Sequence, residues 1–312
     1  MSAPHSKIPV PDLRSLASYE FSLPRDFDVF GTLRFGRFGQ WDPTQRLSDG
    51  HYVKAFRYQE AICVLDARVH DGRLNVEIRG QSAMPSESEV RRFFGLHRPP
   101  LAVSGHSTLE RWSRQRPGIH LGVTLHLGLD CVKTVFQQLI EWRDAAVIWR
   151  KWILRTGEHL TSEDLYCPPT YRGLYQQPLD LLHSCGLSRK RALVVREVAR
   201  LGPRIDQWAG EPSDTLRRRL MTISGIGAWT TEHCLGFSLN LPDIVVTGDY
   251  QLPHTVAWSL AGEERGTDRR MFELLEPWRG QRWSVLRMIF ASDVRAPRRG
   301  PRLNRGRPSR PH

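Results

Sequence analysis

The hydrophobic period of this chain changes near Gly105, and that change limits what it can fold into. Before it, "FDVFGTLRFGRFG", "HYVKAFRYQEAICVLDARV" and "RLNVEIRG" alternate apolar with polar residues and are rich in the aromatic and β-branched types of strands. Asp71-Gly72 between two of these runs predicts a tight hairpin, because both residues tolerate positive φ. Ser86 precedes "ESEVRRFFGL" as a helix cap. After Gly105, apolar residues recur at helical spacing between Gly and Pro breaks. Val132, Val135, Phe136, Leu139 and Ile140 form one stripe. "QPLDLLHSCGLSRKRALVVREVARL" predicts a short helix, a break at Cys185-Gly186 and a longer helix. "SDTLRRRLMTI" starts at Ser213 as N-cap and places Leu216, Leu220 and Ile223 on one face, and two more helices from Thr267 are broken at Pro277.

The expected fold class is therefore α+β. A polar arm runs from residue 1 to about 20, and a small α/β domain with an antiparallel sheet spans 21–104. Helical domains span 105–291, and an Arg-, Pro- and Gly-rich tail, 292–312, has too little to bury to be ordered. That tail either holds phosphates nonspecifically or only solubilises the chain. A length of 312 residues suits roughly two domains.

Charge narrows the partners. The chain has 45 Lys+Arg against 33 Asp+Glu, a net charge of +12, which favours a polyanion: nucleic acid or an acidic membrane surface. No apolar run approaches the roughly 18 residues of a membrane span, and the first twenty residues lack a signal-peptide pattern, so the expected location is cytoplasmic or nuclear. The cysteines, Cys63, Cys131, Cys167, Cys185 and Cys234, are scattered without a C-x-x-C pair, which excludes a zinc knuckle or a four-cysteine iron–sulfur loop. They are expected as reduced thiols.

"SGIGAW", between an amphipathic helix and a helix starting near Ala228, is a helix-hairpin-helix pattern. Gly225 and Gly227 permit a sharp hairpin whose backbone N–H groups point outward at a helix N-terminus, where phosphate binds without base reading. Alone, G-x-G is mostly a turn. About twenty residues on, past "WTTEHCLGFSL" and "NLPDIVV", stands Asp249. An Asp after a glycine turn is most often an ordinary cap.

In order and spacing, "DCVKTVFQQLIEWRDAA", "GLSRKRA", "LMTISGIGAWT", "GDY" and "LLEPWRGQRWSVL" together resemble the helix-hairpin-helix base-excision DNA glycosylases, most closely the bacterial inducible 3-methyladenine (type II) branch, over roughly residues 105–291. The N-terminal sheet looks like that family's small α/β domain. The resemblance implies a mostly helical bundle, double-stranded DNA with damaged bases as partner, no obligate protein partner, no membrane and a nucleoid-associated enzyme. It implies Asp249 as the catalytic carboxylate, Trp229 and Tyr250 in the base pocket, and Leu139 with neighbouring Gln138 as the wedge that fills the duplex. It implies Gly225, Ile226, Gly227, Thr230 and Lys190 at the DNA backbone, with Arg191 a further basic candidate. Trp278 and Trp283 are additional pocket candidates, though most tryptophans in a bundle pack cores. Bifunctional members carry a lysine where this chain has Trp229, and an indole forms no Schiff base. A monofunctional enzyme that leaves an abasic site is implied, acting on alkylated purines of the 3-methyladenine and 7-methylguanine type. Trp229 also suits stacking on an electron-poor base. No metal or other cofactor is implied beyond a possible monovalent cation at the hairpin carbonyls. The chain departs from the family in "IVVTGDY", where Pro-Asp-Asp or Pro-Val-Asp is usual, and near Arg287, where some members carry an aromatic. Glu232 and Asp243 are the nearest alternative carboxylates.

Two other readings stay open: a noncatalytic helix-hairpin-helix DNA-binding protein, and a glycosylase for deaminated or oxidised bases. A pure binder gains nothing from a carboxylate facing phosphates, which favours an enzyme. If the charge surplus contacts phosphates, counterion release makes duplex affinity fall at least about a hundredfold between about 50 and 200 mM salt, measured by fluorescence anisotropy. A flat salt dependence would assign the charge elsewhere.

Overall fold

A computed structural model describes residues 13–48 and 50–297. Strands β1 (Ser15–Ser22), β2 (Gln45–Ser48), β3 (His51–Tyr58), β4 (Ala61–His70) and β5 (Arg73–Gly80) form an antiparallel sheet in the order β1-β5-β4-β3-β2. The β4–β5 hairpin turns at Asp71-Gly72 with φ of 49° and 70°. Strand β1 occupies part of the stretch expected to be an arm. Its inward positions, Ser15, Ala17, Tyr19 and Phe21, mix polar and small residues with aromatics, so the alternation is weak in sequence although each pairs with β5. The first twelve residues of the arm, and the tail beyond 297, lie outside the described residues.

Helix α1 (Val29–Leu33) and a 3-10 turn (Arg34–Gly36) also replace expected strand. Asp28 decides this locally: its Oδ1 accepts the Gly31 N–H at 2.7 Å, capping a helix within an alternating run. Helix α2 (Glu87–Phe93) begins with a capping box, Ser86 and Glu89 bonding each other's backbone N–H.

The sheet is covered on both faces. Phe21, Tyr52, Phe56, Leu65, Leu74 and Ile78 pack against Val90, Phe93 and Phe94 of the α2 segment. Val53, Ala55, Ile62 and Val64 pack against Leu160, Leu165 and Cys167 of a small hairpin, β6 (Glu158–Leu160) and β7 (Leu165–Cys167). This second cover explains why β3 and β4 are buried almost continuously rather than at alternate positions.

The rest is helical: α3 (Ser107–Gln115), α4 (Leu127–Gln137), α5 (Trp142–Thr156), α6 (Tyr171–Gln176), α7 (Leu179–Cys185), α8 (Arg189–Trp208), α9 (Ser213–Met221), α10 (Ala228–Leu239), α11 (Leu252–Ala261), α12 (Asp268–Leu275) and α13 (Arg282–Ser292). Gly186, with φ of 116°, makes the break before α8. Ser213 is the first helical residue of α9 rather than its cap, and Pro212 precedes it. Trp149, Trp152, Trp283 and Phe136 lie in the single core of this layer, and the five cysteines are buried and unpaired. No helix among the described residues is long and apolar enough to cross a membrane.

Asp42 joins the sheet layer to the helices. Its buried carboxylate accepts hydrogen bonds from Phe38 N, Thr44 N, Thr44 Oγ1, Gln45 Nε2 and, across the interface, Trp149 Nε1. Asp42→Ala strands several buried donors at about 1–3 kcal/mol each, so a loss of ~3 kcal/mol or more is expected in chemical denaturation. A loss below ~1 kcal/mol would show that these donors find other partners.

Candidate functional site

Between α9 and α10 the chain turns through Ser224-Gly225-Ile226-Gly227. Gly225 has φ of +86°, and a Cβ there would lie 2.2 Å from Val194 Cγ2, so both backbone and packing require glycine. Gly227 differs: its φ is −103° and a Cβ would meet nothing within 4 Å. The open space lies at the N-terminus of α10, where backbone N–H groups face outward. The Ile226 side chain is buried and its N–H bonds Ile223 O at 2.9 Å, so Ile226 anchors the hairpin and has no free donor for phosphate. Thr230 is buried too, its hydroxyl accepting from Gln138, which leaves its side chain no route to DNA. Lys190 is exposed in the first turn of α8, one turn before the Val194 that packs on Gly225.

Leu139 leaves the apolar stripe. Helix α4 ends at Gln137, and Leu139 stands in the following turn with φ of 61° and 99% of its surface exposed. A left-handed leucine costs about 1–2 kcal/mol, and its exposure returns no burial energy. Two contacts hold the turn. Arg191, a basic candidate for phosphate contact or a solvated face, is instead buried and donates Nη1 to Phe136 O (3.1 Å) and Gln138 O (3.3 Å). Gln138 donates Nε2 to Gly225 O (3.0 Å) and Thr230 Oγ1 (2.9 Å). Gln138 is thus a tether between the Leu139 turn and the hairpin, with its amide nitrogen committed to protein.

Asp249 follows Gly248, whose φ is +73° and whose N–H bonds Asp268 Oδ2 at 2.9 Å, which sets the shape of the "VTGDY" loop. Asp249 Oδ1 accepts from Gln251 N and Leu252 N, both at 2.8 Å, at the start of α11. Its Oδ2 accepts the Trp229 indole N–H at 3.1 Å. Asp249 is therefore a cap as well as a carboxylate fixed against Trp229. It is only partly buried, and Oδ2 keeps acceptor capacity. Tyr250 beside it is 77% exposed. The alternative carboxylates are engaged elsewhere. Glu232 pairs with Arg217 at 2.7 Å, and the Arg282 guanidinium bonded to Asp243 holds that carboxyl below its usual range.

Trp229, His233 and Phe237 recur every four residues along one face of α10, with ring centroids 5.0 and 4.5 Å apart. Burial drives His233 down to about 4, outweighing the opposite pull of Asp249, so its imidazole is neutral at physiological pH. Trp278 and Trp283 belong to the core instead, with indole N–H groups on Ser104 O and Asn240 Oδ1. The i, i+4 aromatic spacing of α10 was readable in the sequence. The Gln138 and Arg191 contacts join residues 53 to 92 positions apart and had no local signal.

The two hairpin glycines have separable roles. Gly225→Ala is expected to destabilise the fold by about 2 kcal/mol or more through strain and the Val194 clash. Gly227→Ala is expected to change thermal stability little and to weaken duplex binding, by placing a methyl where phosphate approaches. Equal stability losses in the two variants would contradict this division.

In sequence, no protein-family model and no curated protein matches the chain. In structure it is similar to the 3-methyladenine DNA glycosylase of Archaeoglobus fulgidus, with a TM-score of 0.75 at 18% identity over 88% of this chain and 98% of that one. It is similar to the Clostridium acetobutylicum 8-oxoguanine glycosylase/lyase solved with double-stranded DNA (TM-score 0.63, 12% identity, 86% and 91% covered). It also resembles the Schizosaccharomyces pombe 3-methyladenine DNA glycosylase solved with abasic DNA (TM-score 0.52, 15% identity, 69% and 100% covered). At these identities the common property is architecture: the chain has the α+β fold of the Archaeoglobus fulgidus structure.

Proposed function

We propose that this chain is a monofunctional DNA glycosylase of base-excision repair that everts a damaged purine from duplex DNA and hydrolyses its N-glycosidic bond. The observation that carries the proposal is the convergence of three devices at one end of α10. The hairpin opens at its N-terminus, Gln138 ties the exposed Leu139 turn to that hairpin, and Trp229 in the first turn of α10 donates to Asp249. Leu139 is the candidate wedge, since a strained and exposed leucine has no use within the free protein.

As the bond between C1′ and the base nitrogen lengthens, its electron pair leaves with the base and positive charge grows on the sugar. Asp249 Oδ2 is the negative group placed to stabilise that cation and to orient water toward C1′. Water then forms the new C–O bond and gives its proton to the Asp249 carboxylate, and an abasic site remains. Trp229, its ring plane set by the bond to Asp249, offers an aromatic face to the base, which suits electron-poor alkylated purines of the 3-methyladenine and 7-methylguanine type. The position after the hairpin holds Trp229 and no lysine, which supports hydrolysis without a lyase step. A monovalent cation at the hairpin belongs to the same proposal. The Ile223 and Gly225 carbonyls each already accept one hydrogen bond and keep a second lone pair of the neutral oxygen type such an ion takes.

The test is strand breakage in methylated duplex DNA, with and without alkali, for the wild type and Asp249→Asn. Asparagine keeps one oxygen to accept from Gln251 N and Leu252 N, so the variant keeps the helix start while it removes the charge and the acceptor for the Trp229 indole. Breaks are expected only after alkali, and the variant is expected to lose on the order of 10²-fold or more in rate. Undiminished activity in the variant would remove Asp249 from the chemistry, and breaks without alkali would establish a lyase.

A further inference from the structure

Asp249 belongs to a closed circuit of contacts that runs through two helices and returns to the residue before it. Its Oδ1 caps α11 at Gln251 N and Leu252 N. Within the first turn of α11, His254 Nδ1 accepts the Gly266 N–H at 3.0 Å. Gly266 is pressed against that helix: a Cβ there would lie 2.3 Å from Pro253 O and 2.9 Å from Ala257 Cβ, so the approach requires glycine. Asp268 then opens α12, with Thr267 as its cap, and its Oδ2 accepts the Gly248 N–H at 2.9 Å. Gly248 is the residue of the circuit that needs holding. Its φ of +73° is left-handed, and a Cβ on it would meet nothing within 4 Å, so no neighbour packed against its Cα fixes that conformation. The second oxygen of Asp268, Oδ1, is buried with no partner among the described residues. Burying an acceptor in this way works against stability, which argues against a purely stabilising role for the side chain.

We propose that Asp268 is a positioning residue for the reaction: by holding the Gly248 N–H it fixes the direction in which the chain enters Asp249, and so aims the carboxylate at the sugar. This rests on the glycosylase reading and adds to it the group through which α12 acts on the chemistry. The Asp249 side chain is tied by the start of α11 and by the Trp229 indole. Its backbone, however, follows a glycine whose φ and ψ have wide freedom unless a partner restrains them. The Asp268 bond supplies that restraint from the far side of the circuit. A reacting group displaced by about 1 Å keeps its charge yet loses on the order of 10²-fold in rate. Asp268 acts through the backbone of Gly248, so the site uses the reach of its oxygen and not its charge. A carboxamide of the same length serves equally, and a longer carboxylate does not.

The experiment separates reach from charge. It measures the single-turnover rate of base release from methylated duplex DNA, and the affinity for the same duplex, in the wild type and three variants. Asp268→Asn keeps the reach and an acceptor for Gly248 N–H and loses the charge. Asp268→Glu keeps the charge and shifts the oxygens by one methylene, and Asp268→Ala removes both. The rate is expected to fall at least about tenfold in Asp268→Ala and at least about threefold in Asp268→Glu, and to stay within about twofold of the wild type in Asp268→Asn. Affinity, set by the hairpin and the basic surface, is expected to stay within about twofold in all three. Loss of folding would lower rate and affinity together and would not be rescued by the amide alone. If the alanine variant does not fold, the asparagine and glutamate variants carry the comparison. A folded alanine variant with the wild-type rate overturns the assignment. So does an asparagine variant as slow as the glutamate one, or a loss confined to affinity. Release of no base by the wild type is the separate failure of the glycosylase reading, and the role of Asp268 falls with it.

Discussion

The carboxylate of Asp249, held by two backbone N–H groups and one indole N–H, is the constraint from which the site is arranged. A negative group at the start of a helix is favoured by the unpaired N–H groups there, so two of these bonds stabilise α11 and all three fix the charge. The indole bond orients Trp229 in turn, and Trp229 begins the aromatic face of α10. Capping and chemistry are therefore compatible roles of one side chain. The cap explains its position, and the exposure and the spare lone pair of Oδ2 leave it open to the role proposed for it.

A second constraint ties the hairpin to the Leu139 turn. Gln138 reaches from the Leu139 turn to Gly225 and Thr230, and Arg191 reaches from α8 to the same turn. Leu139 keeps a strained left-handed backbone because these bonds hold the residues on its N-terminal side. As the proposed wedge, Leu139 spends its conformational cost on folding, which leaves less to supply on binding DNA. The hairpin and the wedge also cannot move independently, since one amide group joins them.

Much of the fold was legible because its signals are local. Asp71-Gly72 needs positive φ, Ser86 and Glu89 are three residues apart, and Gly186 must turn left-handed, so each states its own structure in sequence. What failed were segments whose pattern answers to distant contacts. Strand β1 alternates weakly and is fixed by pairing with β5, and a single cap at Asp28 turns an alternating run into α1. In the candidate site, the motif spacing singled out Asp249, Trp229 and the glycines, which the fold brings to one end of α10, but not which groups face inward. Ile226 and Thr230 fell on the buried side of the hairpin. Leu139 fitted a core stripe by period and left it because α4 stops two residues earlier. Arg287 was visible only as a missing aromatic; its buried, unpaired donors appear once Phe35 and Phe237 are placed around it.

The central claim is that Asp249 stabilises a sugar cation. Its most direct measurement is the affinity for two duplexes that differ in one atom of an abasic-site mimic: a pyrrolidine, protonated where C1′ becomes positive, and a neutral tetrahydrofuran. The account predicts that the wild type binds the cationic mimic roughly 10²-fold or more tightly than the neutral one, and that Asp249→Asn loses most of this difference. Equal affinity for the two duplexes in the wild type, or an undiminished difference in the variant, would contradict it.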